Sequence, residues 1–359
     1  MSKRTIVPFG PQHPVLPEPI HLDLVLEDEK VVGAVPSIGF VHRGLEKLVE
    51  KRDFHEMAFV IERVCGICSF VHSQGYVQTI ESLMDLEVPG RAKYLRTIWA
   101  EMSRMHSHLL WLGLMADAFG FESLFMNCWR IRERILDIFE ETTGGRVIFG
   151  ACKVGGVNRD IDNDTLKKID GILKTVEEEI TVISNVFMND YTVQKRTKGV
   201  GVLTAQEAFE LGAVGPVLRG SGIALDFRQL DYASYGELDF QPAVEKDGDC
   251  FARCNVRIKE LFSSIDLIRQ AIGKIPDGEI DIKVKGFPNG EFVSRLEQPR
   301  GQVLYYARAN GTKHLERFRV RTPTFSNIPP LLKMLPGADL ADVPIIVLTI
   351  DPCISCAER

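Results

Sequence analysis

The sequence predicts an α+β fold, mainly helical, with a long-helix bundle as its core and small antiparallel sheets around it. Three observations predict it. Leu95, Ile98, Trp99, Met102, Met105 and Leu109 recur at spacings of three and four, which places them on one face of a long helix. Ile20–Leu26 alternates in the manner of a strand, and Val31–Val35 is placed to pair with it across a Glu27–Lys30 turn. In the last third, Asn310-Gly311 is a hairpin signal between two strand-like runs, Gln302–Ala309 and Leu315–Arg321.

The remaining elements follow in chain order. The N-terminus carries Pro8, Pro11, Pro14, Pro17 and Pro19, each fixing φ and removing a donor, so it reads as extended or looped. Phe54–Val64 reads as helical, and a further helix covers Phe121–Glu141. Another starts at a cap on Asn163 or Asp164 and runs to near Asn189. Thr204-Ala-Gln-Glu207 is a capping box for a short helix ending near Gly212. A last helix covers Asp249–Ile272. Ile280–Lys285 reads as a strand, and Val343–Ile350 reads as a buried strand delivering the chain to Asp351-Pro352-Cys353. With no Gly- or Pro-rich linker and no low-complexity segment, residues 1–359 are expected to form one interlocked unit. It comprises a small N-terminal sheet (about 1–50), a helical core (about 51–275) and a mixed C-terminal part (about 276–359).

Bulk properties narrow the function classes. The chain has 359 residues, 45% hydrophobic and 26% charged, enough apolar content for a sizeable core. A net charge of −6 lacks the basic footprint of a nucleic-acid binder. No apolar run approaches the roughly 20 residues of a spanning helix, and the start lacks the pattern of a secretory signal. The expectation is a soluble chain whose link to a membrane, if it has one, comes through a partner.

The cysteines carry the chemistry. Cys65-Gly-Ile-Cys68 and Cys353-Ile-Ser-Cys356 are both C-x-x-C, and chance placement of the eight cysteines gives about 0.15 such pairs. Two intervening residues let a tight turn aim both sulfurs at one ion, and thiolates favour soft or late metals. A structural zinc knuckle usually draws both pairs from a short module, whereas 284 residues lie between Cys68 and Cys353. On spacing alone, a metal site shared between distant core elements, separate redox pairs and structural zinc all remain open.

The context of the pairs resembles a known family. Arg63-Val-Cys65-Gly-Ile-Cys68-Ser-Phe-Val-His72 resembles the R-x-C-G-x-C-x-x-x-H motif of nickel–iron hydrogenase large subunits. Asp351-Pro-Cys353-Ile-Ser-Cys356 resembles their D-P-C-x-x-C motif, and Pro299-Arg300-Gly301 their P-R-G segment. Gly10-Pro-Gln-His-Pro14 and His42-Arg-Gly-Leu-Glu-Lys47 are similar to segments of the membrane-associated, energy-converting hydrogenases related to respiratory complex I. The quinone-pocket subunit of complex I has similar segments but lacks the four cysteines that this sequence keeps.

The resemblance implies a Ni–Fe centre held by Cys65, Cys68, Cys353 and Cys356, with carbon monoxide and two cyanides on the iron. It implies heterolytic splitting or formation of H2, with Cys353 or Arg300 as candidate base. Arg is rarely a free base, so its safer role is to hydrogen-bond the diatomic ligands, with Asp351 orienting it. Pro299 and Thr324 would lie against the same ligands, Thr324 as a hydroxyl donor to a cyanide. His72 would be a donor beside the metals rather than a ligand. Glu18 is the candidate proton gate, and Glu46 a candidate ligand of an additional magnesium or iron ion. Asp117 weakly resembles an aspartate over the active site.

No cysteine motif is left for an iron–sulfur cluster in this chain. The implied partners are therefore a small subunit with a proximal 4Fe–4S cluster, then ferredoxin-like and integral membrane subunits. The implied place is peripheral, on the cytoplasmic face of a membrane, with ferredoxin-linked proton reduction coupled to ion translocation. Two other readings stay open: a complex I-like quinone-pocket or coupling subunit without metal chemistry, and a zinc-stabilised interaction protein. His106 and His108 would face apart on their helix, and Cys250, Cys254 and the methionines read as core packing.

Overall fold

Leu22, Leu24 and Leu26 are buried at every second position of a seven-residue strand, and that alternation fixes the face the first sheet turns to the core. The computed structural model describes residues 4–359. The sheet contains β1 (Arg4–Phe9), β2 (His21–Glu27) and β3 (Lys30–Ser37) in antiparallel order β1-β2-β3. The β2–β3 pairing is the expected hairpin, with Leu26 opposite Val31. The Pro-rich start is extended and then looped, as expected: Arg4–Phe9 pairs as β1, where Pro8 is accommodated because β1 lies at the sheet edge, and the other four prolines lie in the loop before β2.

Two short helices, α1 (Leu45–Lys51) and α2 (Met57–Glu62), lead to α3 (Ser69–Leu83). The core is then laid down by α4 (Gly90–Ala118), which packs against α5 (Glu122–Thr143). The six periodic residues from Leu95 to Leu109 are all buried on α4. A two-residue ladder, β4 (Cys152–Lys153) with β5 (Gly156–Val157), precedes α6 (Asn163–Asn189). The cap of α6 is Asp162, one residue before the expected position, and its carboxylate accepts from Thr165 N at 2.7 Å.

Next come α7 (Tyr191–Thr197), α8 (Ala205–Glu210) with the Thr204/Glu207 capping box, and α9 (Pro216–Gly220). The long helix α10 (Cys250–Lys274) starts at Asp249, which accepts from Ala252 N, and lies against α4.

The second three-stranded sheet contains β6 (Asn289–Gln298), β7 (Gly301–Asn310) and β8 (Leu315–Arg321). β7 and β8 are the expected strands. β6 was not foreseen, because its first half is exposed and lacks clean alternation. Ile280–Lys285 forms no extended strand; its ladder contact is a single bridge from Asp281 to Gly156. α11 (Pro323–Met334) follows β8.

Val343–Ile350 is the clearest correction. It is helical, as α12 (Val343–Thr349), with Pro344 in its first turn. A short, wholly buried apolar run has the same appearance in either conformation, so its sequence did not distinguish them. The chain ends in α13 (Ile354–Glu358). No helix among the described residues is long and apolar enough to cross a membrane.

Candidate metal centre

Two helix starts face each other. Cys68 is the cap residue of α3 and Cys353 the cap residue of α13, so each C-x-x-C straddles or enters a helical first turn. Asp351 has φ of 55°, a left-handed turn that Asp tolerates better than most residues, and it redirects the chain between α12 and α13. Arg43 ties the two turns together. Its guanidinium donates to the carbonyls of Arg63 and Val64 before the first pair, and to Ser355 inside the second.

The outcome is one buried sulfur cluster. Cys65 Sγ lies 3.3 Å from Cys353 Sγ, and Cys68 Sγ lies 3.5 Å from Cys356 Sγ. Cys65, Cys68 and Cys356 form a group whose sulfurs all lie within 4.8 Å of one another. Cys65 Sγ accepts from the backbone N–H of Ile67 and Cys68 at 3.2 and 3.3 Å. Hydrogen bonds from Cys353, Cys356 and Cys68 hold the Cys65 thiol well below its ordinary range, while burial pushes Cys68 and Cys356 well above it. The protein alone thus favours one thiolate here. Four thiolates buried together would need a cationic metal to offset their mutual repulsion and desolvation, and soft or late metals match that donor set. Two buried polar atoms beside the cluster, Gln298 Nε2 and Asp351 Oδ2, have no partner within the protein.

The residues expected around the metals converge here. Pro299 and Arg300 form the two-residue turn of the β6–β7 hairpin, since Gln298 pairs with Gly301. The turn is pressed onto the loop before α9, where a Cβ on Gly215 would stand 2.4 Å from Arg300 O, so only glycine fits. Arg300 is buried. It donates through Nε to Asp351 O at 2.8 Å and through Nη2 to Asp351 Oδ1 at 2.9 Å. Burial opposes its charge, but Asp351 and the sulfurs of Cys353, Cys68 and Cys65 outweigh that and hold it a firm cation.

His72 lies one turn into α3, with Nε2 at 3.2 Å from Cys356 Sγ. Burial pushes it down to about 4, so the ring is neutral at physiological pH. Thr324 Oγ1 accepts from Cys353 N at 3.1 Å; it stands in the first turn of α11 rather than in a strand. Half-buried Glu18 accepts from Ser355 N and Oγ at 2.9 and 2.7 Å, and lies 3.9 Å from Cys353 Sγ.

Other expected residues lie elsewhere. Glu46 accepts from Arg319, Arg359 and the backbone of Val320 at 2.8 to 3.2 Å, so two guanidiniums occupy the place where an additional ion was expected. Asp117 is exposed in the last turn of α4. His106 and His108 do face apart: His106 Nδ1 accepts from Arg132, while His108 Nε2 bonds Glu260 at 2.8 Å. Cys250 and Cys254 are buried in the core.

Sequence reasoning missed a buried ionic network behind the cluster. Arg104 donates to the carbonyls of Glu297 and Gln298 and pairs with Glu101, which also pairs with Arg228. Arg219 bridges Asp226, Glu260 and Glu297. The available signal was Glu101, Arg104 and His108 recurring at three and four residues, on one face of a long helix.

Comparison with known proteins bears on this geometry. Residues 43–116 match the model of the nickel-dependent hydrogenases. Residues 118–287 and 282–359 match the model of the respiratory-chain NADH dehydrogenase, 49 Kd subunit. The carbon monoxide-induced hydrogenase of Rhodospirillum rubrum is 41% identical over all of both chains. The membrane-bound hydrogenase subunit alpha of Pyrococcus furiosus is 37% identical over 98% of this chain and 87% of its own. A chain of the membrane-bound sulfane sulfur reductase, an archaeal respiratory membrane complex, superposes with a TM-score of 0.95 at 31% identity, covering 99% of this chain and 98% of that one.

Proposed function

We propose, for a chain that belongs to the complex I-related family of hydrogenase and NADH dehydrogenase 49 Kd subunits, that it is the catalytic subunit of a nickel–iron hydrogenase. It would interconvert H2 with protons and electrons. One observation carries the reading: four buried cysteine sulfurs, from opposite ends of the chain, meet in one cluster at 3.3 and 3.5 Å.

Cys65, Cys68, Cys353 and Cys356 would hold the Ni–Fe group. When bound, with carbon monoxide and two cyanides on its iron, that group supplies the open coordination and redox chemistry for the H–H bond. The chain's own residues do the rest. Arg300, locked by Asp351, offers a fixed positive charge to the neighbouring sulfurs without surrendering its proton. Thr324 accepts from the backbone of Cys353, which leaves its O–H free to donate toward a cyanide. Glu18 stands between buried Cys353 and the surface, where it takes a proton from that sulfur and passes it outward.

Electrons would leave through a small subunit carrying a proximal 4Fe–4S cluster. Ferredoxin-like and integral membrane subunits would complete a complex on the cytoplasmic face of a membrane, linking ferredoxin oxidation to proton reduction and ion translocation. The likeness to a membrane-bound hydrogenase subunit and to a chain of a respiratory membrane complex supports a place in a membrane-bound complex.

A second reading, a coupling subunit without metal chemistry, is favoured by the match of residues 118–359 to the 49 Kd subunit. Metal analysis of the anaerobically purified complex separates the two. About one nickel per chain is expected from four thiolate ligands. Zinc or no metal in a fully assembled complex would retire the hydrogenase reading.

A further inference from the structure

We infer that Tyr305 is a positioning residue for the sulfur of Cys356, acting through His72; the inference rests on the nickel–iron reading above. Tyr305 Oη lies 2.5 Å from His72 Nδ1, and His72 Nε2 lies 3.2 Å from Cys356 Sγ. All three side chains are fully buried, so no bulk water competes for these bonds.

The chemistry fixes the direction of this relay. A metal-bound cysteine is deprotonated and its sulfur only accepts. The nitrogen facing it must therefore carry hydrogen, and a neutral imidazole has just one N–H. His72 then holds that hydrogen on Nε2 and presents a bare lone pair at Nδ1. The Tyr305 hydroxyl donates into that lone pair. Without it, nothing at Nδ1 selects the tautomer that the sulfur needs.

The fold goes to some length to place this hydroxyl. Tyr305 on β7 pairs with Ser294 on β6. Ser294 Oγ bonds Thr79 Oγ1 at 2.5 Å and Gly75 O at 3.3 Å, which sets the sheet's register on α3. The Tyr305 ring lies against Gly75, where a Cβ would come within 2.4 Å of Cε2, so any side chain there would displace the ring. The ring meets His72 edge-on at 79°. Cys68, His72 and Gly75 thus bring metal ligand, relay and clearance onto successive turns of one helix.

The test compares Tyr305→Phe with Tyr76→Phe in the complex purified anaerobically from its native host. Tyr76 is also buried, also packs on Phe318, and donates its hydroxyl to Phe54 O at 2.8 Å, so its variant loses one buried hydrogen bond without touching His72. The readout is the infrared bands of the iron-bound diatomic ligands, alongside nickel content. In Tyr305→Phe the three bands should move together to lower wavenumber, because the Cys356 sulfur keeps more of its charge. Turnover should fall on the order of 10- to 100-fold. In Tyr76→Phe the bands should stay in place. If Tyr305→Phe loads less nickel, the bands of its loaded fraction still report the comparison. Unmoved bands in loaded Tyr305→Phe would overturn the inference and leave Tyr305 a core residue, with the hydrogenase reading intact. Absence of the bands from the wild-type complex would instead overturn the hydrogenase reading, and this inference with it.

Discussion

Cys65 Sγ and Cys353 Sγ stand 3.3 Å apart although 288 positions separate them in sequence. The contact is made by two helix starts, held in place by the guanidinium of Arg43 on the carbonyls that flank both turns. Replacing either Cys65 or Cys353 by Ser should abolish H2 turnover and nickel retention while leaving the chain folded. Gas-chromatographic assay with elemental analysis checks this, and wild-type turnover in either variant contradicts the metal assignment.

Arg300 and Asp351 form a buried, doubly bonded pair. Lys in place of Arg300 keeps the charge but loses the planar fork, so the two bonds to Asp351 cannot both be made in the same geometry. Turnover of Arg300→Lys should fall about 10²-fold or more. Nickel content should stay at the wild-type level, since Arg300 holds no metal. A variant with unchanged kcat would show that the pair serves only the hairpin turn.

Glu18 is set apart from the other site residues by its partial exposure and its contact with Ser355. Glu18→Gln preserves size and hydrogen bonding but cannot release a proton. Proton-coupled turnover should drop about 10²- to 10⁴-fold. The infrared spectrum and metal content should not change. Equal loss of metal and activity would make Glu18 a structural carboxylate.

Glu62, three residues before Cys65, is a buried carboxyl pushed up to about 7, chiefly by burial, despite bonds from Ser73 and Gly150. Its ordinary value is 4.5, so between pH 4.5 and about 7 the unfolded chain ionises it while the folded chain keeps it protonated. Its stabilising contribution is therefore complete below pH 4.5 and is lost as pH rises through about 7. The size of that loss is on the order of 3 kcal/mol. Glu62→Gln should flatten the pH dependence across this window and raise stability at pH 8, as read from denaturant midpoints. An unchanged profile would show that Glu62 is ionised in the folded state.

Much of this was legible in the sequence, for identifiable reasons. The helices announced themselves through apolar spacing, as on α4, and through caps, as at the Thr204/Glu207 box. The cysteine pairs were visible because thiols at that short spacing suit a metal, and Pro299-Arg300-Gly301 only through its resemblance to the family's segment. What failed was conformation where pattern is degenerate. Val343–Ile350 is apolar at nearly every position, so nothing local separated buried helix from buried strand. Tyr305 was invisible for the opposite reason: it is one more inward residue of a strand, and its role exists only through its distance to His72. Glu46 was read as an ion ligand, whereas the folded chain brings Arg319 and Arg359 to it from remote segments.

The most direct measurement is an infrared spectrum of the complex purified anaerobically from its native host. The account predicts one carbon monoxide band and two cyanide bands, accompanied by about one nickel per chain as expected for four thiolate ligands. An assembled complex without those bands, holding zinc or no metal at the four cysteines, would contradict it.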